Sequence, residues 1–195
     1  MSDKKALRRR CHQIREKMSV EQVKRASRAV CDHLSAWLLF EQANVVLTFL
    51  AFRNEIDLSD LFGRWPDKHW LAPRVVEDAE LKPEQRPYLT LHPYDPARLV
   101  RHRFGMWEPD KNLPVVDAGE VEMVLVPGVA FDRQGGRLGY GGGFYDGLLP
   151  RTTQAARVGV TFDELVLDAI PMQPWDWRVG WLVTPSGLVK TGQKA

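Results

Sequence analysis

Two cysteines, Cys11 and Cys31, are all that 195 residues contain. That excludes a disulfide framework and a four-cysteine metal site, and both read as reduced, half-buried thiols on helical stretches. The five histidines (His12, His33, His69, His92 and His102) show no H-x-x-x-H or related ligand spacing. No apolar run is long enough to span a bilayer, and residues 1–17 are too charged for a signal peptide. A cytoplasmic protein with no membrane partner is expected. A large charge excess is also missing. Lys plus Arg number 27 against 25 Asp plus Glu, a net +2, and no nucleic-acid module is recognisable, so no nucleic-acid partner is expected. There is no internal repeat and no low-complexity segment. The length fits one domain, 1–195, with enough chain to bury a core.

What is present alternates between helix and strand patterns. Leu7, Cys11, Ile14 and Met18 recur at helical spacing. Ser19 and Gln22 form a capping-box signature, opening a second helix with a core face of Val23, Ala26, Val30, Leu34 and Trp37. "NVVLTFLAF" (44–52) reads as a strand buried on both faces, and "DLSDLFGRW" as a short helix from about Asp57. "HWLAPRVV" and "YLTLHPY" are strand candidates, "EVEMVLVPG" (120–128) is a second clear buried strand, and "RVGVTF" (157–162) and "GWLVTP" (180–185) follow. Residues 97–114 carry no period and read as surface loop. The pattern predicts an α/β fold: a single domain with a mainly parallel, twisted sheet flanked by helices in a Rossmann-like three-layer arrangement. Ligands of such sheets bind beyond the carboxyl ends of the strands.

Directly after strand 120–128 comes "GGRLGYGGGFYDGLL" (135–149), where glycine is dense enough to demand a reason. No lysine follows as in a P-loop, and the spacing does not complete a dinucleotide fingerprint. Consecutive glycines let several backbone N–H groups converge on an anion. A helix opening near Phe144 adds its positive end, and Arg137 adds a fixed fork of donors. Asp146 suits Mg²⁺ bridging to phosphate. The plainer alternative is a β-hairpin or tight turn needing positive φ.

"LVPGVAFDRQGGRLGYGGGFYDGLL" closely resembles the signature of the 5-formyltetrahydrofolate cyclo-ligase family. Weaker matches in the right order are Lys4, Leu7 and Arg8 near the N-terminus, "FRNEIDL" (52–58), and "PWDW" around Asp176. Phe144 stands where the family usually has tyrosine, Gly147 where a basic residue is common, and Gly180 where many members have a second aspartate after Asp176. The resemblance implies ATP-dependent closure of 5-formyltetrahydrofolate to 5,10-methenyltetrahydrofolate through a phosphorylated formyl oxygen, with ADP and phosphate released. It implies ATP-binding roles for Lys4, Arg8, Arg137, Gly139, Tyr140, Gly141, Gly142, Gly143, Phe144 and Tyr145. It also implies substrate-binding roles for Leu50, Glu55, Trp107, Tyr140 and Phe144, and Mg²⁺ contacts for Asp146 and Asp176. A monomer with two small-molecule substrates is expected.

Read without the resemblance, several of these residues have plain structural accounts. Lys4 and Arg8 share a face of a basic helix, Glu55 can open a helix, Leu50 can be core, and Trp107 can anchor a loop. Asp132, in "AFD", is expected to cap the turn that follows. A sugar-phosphate isomerase or acyl-CoA transferase on a related sheet needs a catalytic Glu or a Lys/Asp pair in an apolar site. None is found outside the elements already assigned.

Overall fold

The apolar segment 44–52 yields only a short strand, β1 (Val45–Leu47), in a computed structural model that describes residues 2–76 and 87–192. One further bond runs from Thr48 N to Leu71 O, 2.9 Å. The chain then leaves the sheet, which carries Phe49 to Glu55 across the strand ends. Six further strands assemble around β1. β2 (His69–Val76) and β6 (Met123–Pro127) pair with it in parallel, β9 (Ala156–Val160) pairs with β6, and β11 (Trp181–Thr184) with β9. The outer strands β3 (Tyr88–Pro93) and β12 (Gly187–Lys190) are antiparallel, giving the order β12-β11-β9-β6-β1-β2-β3. All five residues of β6 are buried, as its unbroken apolar run predicts for a strand covered on both faces.

Alternate side chains build two cores. Val46, Met123, Leu125 and Val158 face helices α1 (Ser2–Glu16) and α2 (Val20–Ser35), whose Cys11, Val30, Cys31 and Leu34 are buried there. Leu47, Val124, Val126 and Leu182 pack on the opposite face with Leu148 and Leu149, at the end of α5 (Phe144–Leu148). Helices therefore cover both faces of a mainly parallel sheet, as the sequence predicts. The capping box of α2 is formed: Ser19 Oγ accepts from Gln22 N (3.2 Å), and Ser19 N donates to Gln22 Oε1 (2.8 Å). Two short helices, α3 (Leu38–Gln42) and α4 (Asp60–Arg64), complete this side. Both cysteines are buried rather than half-buried, and burial raises the Cys31 thiol to about 12.

Residues 97–114 are not plain loop. Leu99–Arg101 (β4) and Trp107–Pro109 (β5) form an antiparallel hairpin. It escapes a periodicity search because its inward anchor is a carboxylate: Glu108 is buried, and its Oε2 accepts from Val75 N on β2 at 3.1 Å. The first half of the glycine-rich stretch is a second hairpin, between β7 (Ala130–Asp132) and β8 (Arg137–Leu138), with β10 (Val166–Leu167) alongside β7. Asp132 caps its turn, Oδ1 accepting from Gln134 N (2.9 Å) and Gly136 N (2.7 Å). Gly135 has φ of 80°, and a Cβ there would stand 2.2 Å from Val179 O, so only glycine fits. The turn reading thus accounts for Gly135 and Gly136, and positive φ extends it to Gly141 (107°) and Gly143 (71°). Among the described residues no helix is long and apolar enough to cross a membrane.

Candidate active site

The carboxyl ends of β1, β6 and β9 open toward the second glycine cluster, residues 139–143. This loop is exposed and leads into α5 through Gly143, whose φ of 71° lies in the left-handed region. At five residues α5 is a little over one turn, so a phosphate here must be held mainly by loop amides and side chains rather than by a helix macrodipole.

Two arginines of α1 reach the loop. Arg8 Nε donates to Gly139 O (2.7 Å), and Arg15 Nη2 donates to the Tyr140 hydroxyl (2.7 Å). Tyr140 in turn donates to Glu55 Oε1, and Phe52 N donates to Glu55 Oε2 at 2.9 Å. Arg15 Nη1 lies 3.7 Å from Glu55 Oε1. Glu55 is aimed by a turn in which Arg53 and Asn54 both take positive φ (51° and 56°). Asn54 tolerates that region better than most residues, and its Nδ2 is fastened to Arg15 O and Met18 O, each at 3.3 Å. Segments distant in sequence therefore converge on one carboxylate.

The electrostatics follow from burial. Desolvation raises the Glu55 carboxyl above its ordinary range, and the Tyr140 hydrogen bond and the Arg15 charge oppose that rise. Tyr140 is 45% exposed as a residue, yet its hydroxyl is enclosed between Arg15 and Glu55. Desolvation, followed by the Glu55 charge, raises its pKa and keeps it protonated. Tyr145 is shifted the same way by burial.

Arg137 and Asp146 form a second pair, Nη2 to Oδ1 at 2.8 Å, with the guanidinium carbon 5.6 Å from the centre of the Tyr145 ring. Arg137 Nε and the Tyr145 hydroxyl are buried without a hydrogen-bond partner. Such groups cost stability unless a ligand meets them. A third pair joins Lys4 Nζ to Asp176 Oδ2, which also accepts from Gln173 N (2.6 Å). Asp146 and Asp176 thus stand in separate ion pairs. Among the described residues no group of three or more His, Cys, Asp or Glu is arranged to hold a metal. Mg²⁺ needs only one or two carboxylates when phosphates and water supply the rest, so the oxygen donors of Asp146, whose side chain is 25% exposed, suit that ion.

The structure brings Lys4, Arg8, Glu55, Arg137, Tyr140, Asp146 and Asp176 into these contacts. Leu50 is half-buried just past the end of β1. Trp107, 52% exposed on β5, has no part in the hydrogen-bonded network. Its hairpin does lie near the site, since a Cβ on Gly105 would stand 3.5 Å from the Phe52 ring. Phe144 begins α5 half-buried. Sequence reasoning missed Arg15, which is 3% exposed. Its signal was present: Lys4, Arg8 and Arg15 fall at intervals of four and seven, on one helix face.

A mainly parallel α/β sheet with a glycine-rich loop and a buried carboxylate at its strand ends has the layout in which α/β proteins of this class bind ligands. The chain belongs to the 5-formyltetrahydrofolate cyclo-ligase family, whose model matches residues 1–185; it is a ligase. It is 29% identical over 174 residues to the 5-formyltetrahydrofolate cyclo-ligase of Haemophilus influenzae, covering 87% of this chain and 91% of that one. It is 29% identical over 178 residues to that of Escherichia coli K12, covering 89% and 96%. Among solved structures, the 5,10-methenyltetrahydrofolate synthetase of Aquifex aeolicus superposes with a TM-score of 0.82 at 31% identity, over 98% of this chain and 94% of that one.

Proposed function

We propose that this protein, acting as one domain in the cytoplasm, converts 5-formyltetrahydrofolate and ATP to 5,10-methenyltetrahydrofolate, ADP and phosphate with Mg²⁺. The observation that carries the reading is the hydrogen bond between Tyr140 of the glycine loop and the buried Glu55. It sets an acceptor for a 2-amino-pyrimidinone edge beside a backbone suited to phosphate.

An amide oxygen is a poor leaving group, so closing the ring requires that the formyl oxygen first take the γ-phosphoryl group. N10 then attacks the activated carbon and phosphate departs. Phosphoryl transfer asks a protein chiefly for positioning and charge neutralisation. Glu55 accepts two hydrogen bonds from the pteridine, while Leu50, Trp107, Tyr140 and Phe144 wall the folate. Gly139 to Gly143 supply amides to the triphosphate. Lys4 and Arg8 meet its charge from α1, Arg137 meets it with the buried Nε that lacks a partner, and Tyr145 offers its unpaired hydroxyl. Asp146, with Asp176, would hold Mg²⁺, which neutralises phosphate charge when bound.

Purified protein given 5-formyltetrahydrofolate, ATP and Mg²⁺ is expected to develop the near-ultraviolet absorbance of methenyltetrahydrofolate, with ADP formed in equal amount. Omitting ATP or chelating the metal is expected to abolish both. A folded protein that binds ATP and forms no methenyl product refutes the reading.

A further inference from the structure

Thr161 follows β9 directly, and its N–H continues the sheet by donating to Val183 O at 3.2 Å. The residue is 3% exposed, and its hydroxyl oxygen is buried with no hydrogen-bond partner. A valine has the same shape and would fill this position without burying a polar group. A hydroxyl left in that state costs stability unless it has a partner in the working protein.

The surroundings indicate where that partner comes from. Thr161 lines a cavity together with Arg15, Glu55, Phe49, Gly128 and Phe162. The cavity therefore lies at the carboxyl ends of β1, β6 and β9, where ligands of parallel sheets bind. It combines one carboxylate, one guanidinium and one uncommitted hydroxyl with apolar walls.

We propose that the Thr161 hydroxyl positions the pteridine ring of the substrate, donating a hydrogen bond to the ring oxo group beside the edge that Glu55 accepts from. This rests on the cyclo-ligase reading and adds a residue to it. A 2-amino-4-oxo-pyrimidine edge presents an amino group, a ring N–H and an oxo group in a row. A carboxylate accepts from the first two and offers nothing to the third, whereas a hydroxyl in the same pocket completes the set. The cavity measures about 10 Å³, the room of one water, so the ring enters only when the lining residues move apart. Tyr140 reaches Glu55 from the exposed glycine loop.

The test compares Thr161→Val and Thr161→Ser with wild type, measuring 5-formyltetrahydrofolate binding by calorimetry without ATP and KM for each substrate. Thr161→Val is expected to weaken folate binding and raise folate KM about tenfold, the effect of leaving one buried polar group unpaired. KM for ATP and the melting temperature should not suffer. Thr161→Ser, which keeps the hydroxyl, should recover most of the loss. Unchanged folate affinity in Thr161→Val overturns the proposal and assigns the hydroxyl to a buried water. Equal losses for folate and ATP, or no recovery with serine, also overturn it by pointing to a structural role. If wild type itself makes no methenyl product, the underlying reading fails and this one with it. Active wild type with an unaffected Thr161→Val variant refutes this inference alone.

Discussion

Tyr140 and Glu55, 85 residues apart in the chain, share a hydrogen bond in which the phenol donates to the carboxylate. Arg15 donates to that phenol from the other side, so a helix, a turn after β1 and the glycine loop meet at one oxygen. In the proposed function, a pteridine that pairs with Glu55 competes with the phenol for the carboxylate. Folate binding at Glu55 is therefore expected to be coupled to the position of the glycine loop.

Glu55→Gln is expected to weaken 5-formyltetrahydrofolate binding about tenfold or more, while ATP binding changes by less than about threefold. The amide replaces one acceptor with a donor, and a partner is left unpaired. Separate equilibrium titrations of the two ligands decide it. Equal losses would mean that Glu55 serves mainly to hold Tyr140 and the loop.

The same carboxylate fixes a pH dependence. Its folded pKa lies above the ordinary carboxylate value because burial disfavours the charge. Below about pH 4 the group is protonated in folded and unfolded chain alike, and its contribution to stability is fully present. As pH rises, the unfolded chain ionises first, and that contribution falls away until pH passes the folded pKa. The melting temperature of wild type relative to Glu55→Gln should therefore drop as pH rises through this window. A difference that stays flat from about pH 4 to about pH 8 contradicts the assignment.

Lys4→Ala and Arg8→Ala are expected to raise KM for ATP about tenfold each, with folate binding little changed. Lys4 also ties α1 to Asp176, and losing that half-buried pair should cost on the order of 1 kcal/mol. A fall in melting temperature with unchanged ATP kinetics would make both residues purely structural.

Asp146→Asn keeps the shape and removes the charge that a hard cation needs. The rate should fall by about a hundredfold or more, and raising Mg²⁺ should recover part of it. Because Arg137 is 7% exposed and loses its anionic partner, the variant should also melt lower. Loss of rate with no response to Mg²⁺ would show that Asp146 acts by holding Arg137.

The sheet was legible because its central strands advertise themselves. A strand buried on both faces needs only an unbroken apolar run, as in "MVLVP" (123–127), and the α2 start needs only Ser19 and Gln22. The β4–β5 hairpin was not legible, since its anchor Glu108 has the composition of a surface residue. β12 was missed at the sheet edge, where Val189 and Lys190 are exposed and leave no alternation to read. The glycine loop, Glu55 and the two α1 cations could be named from their motifs. The bond from Tyr140 to Glu55 could not, because no local spacing encodes a contact across 85 residues. Thr161 could not either: a hydroxyl in "VGVTF" looks like any strand threonine until its lack of a partner is seen.

Lys4, Arg8 and Arg15 stand in one row on α1, roughly 16 Å of helix from the first to the last. The first two meet Asp176 and the glycine loop, and the last meets Tyr140 and Glu55. Under the proposed function the helix would serve as a ruler laid along both substrates, so that its register matters as well as its charges. One residue inserted between Arg8 and Arg15 would turn Lys4 and Arg8 by about 100° about the axis, breaking the row while leaving every side chain of the site in the sequence.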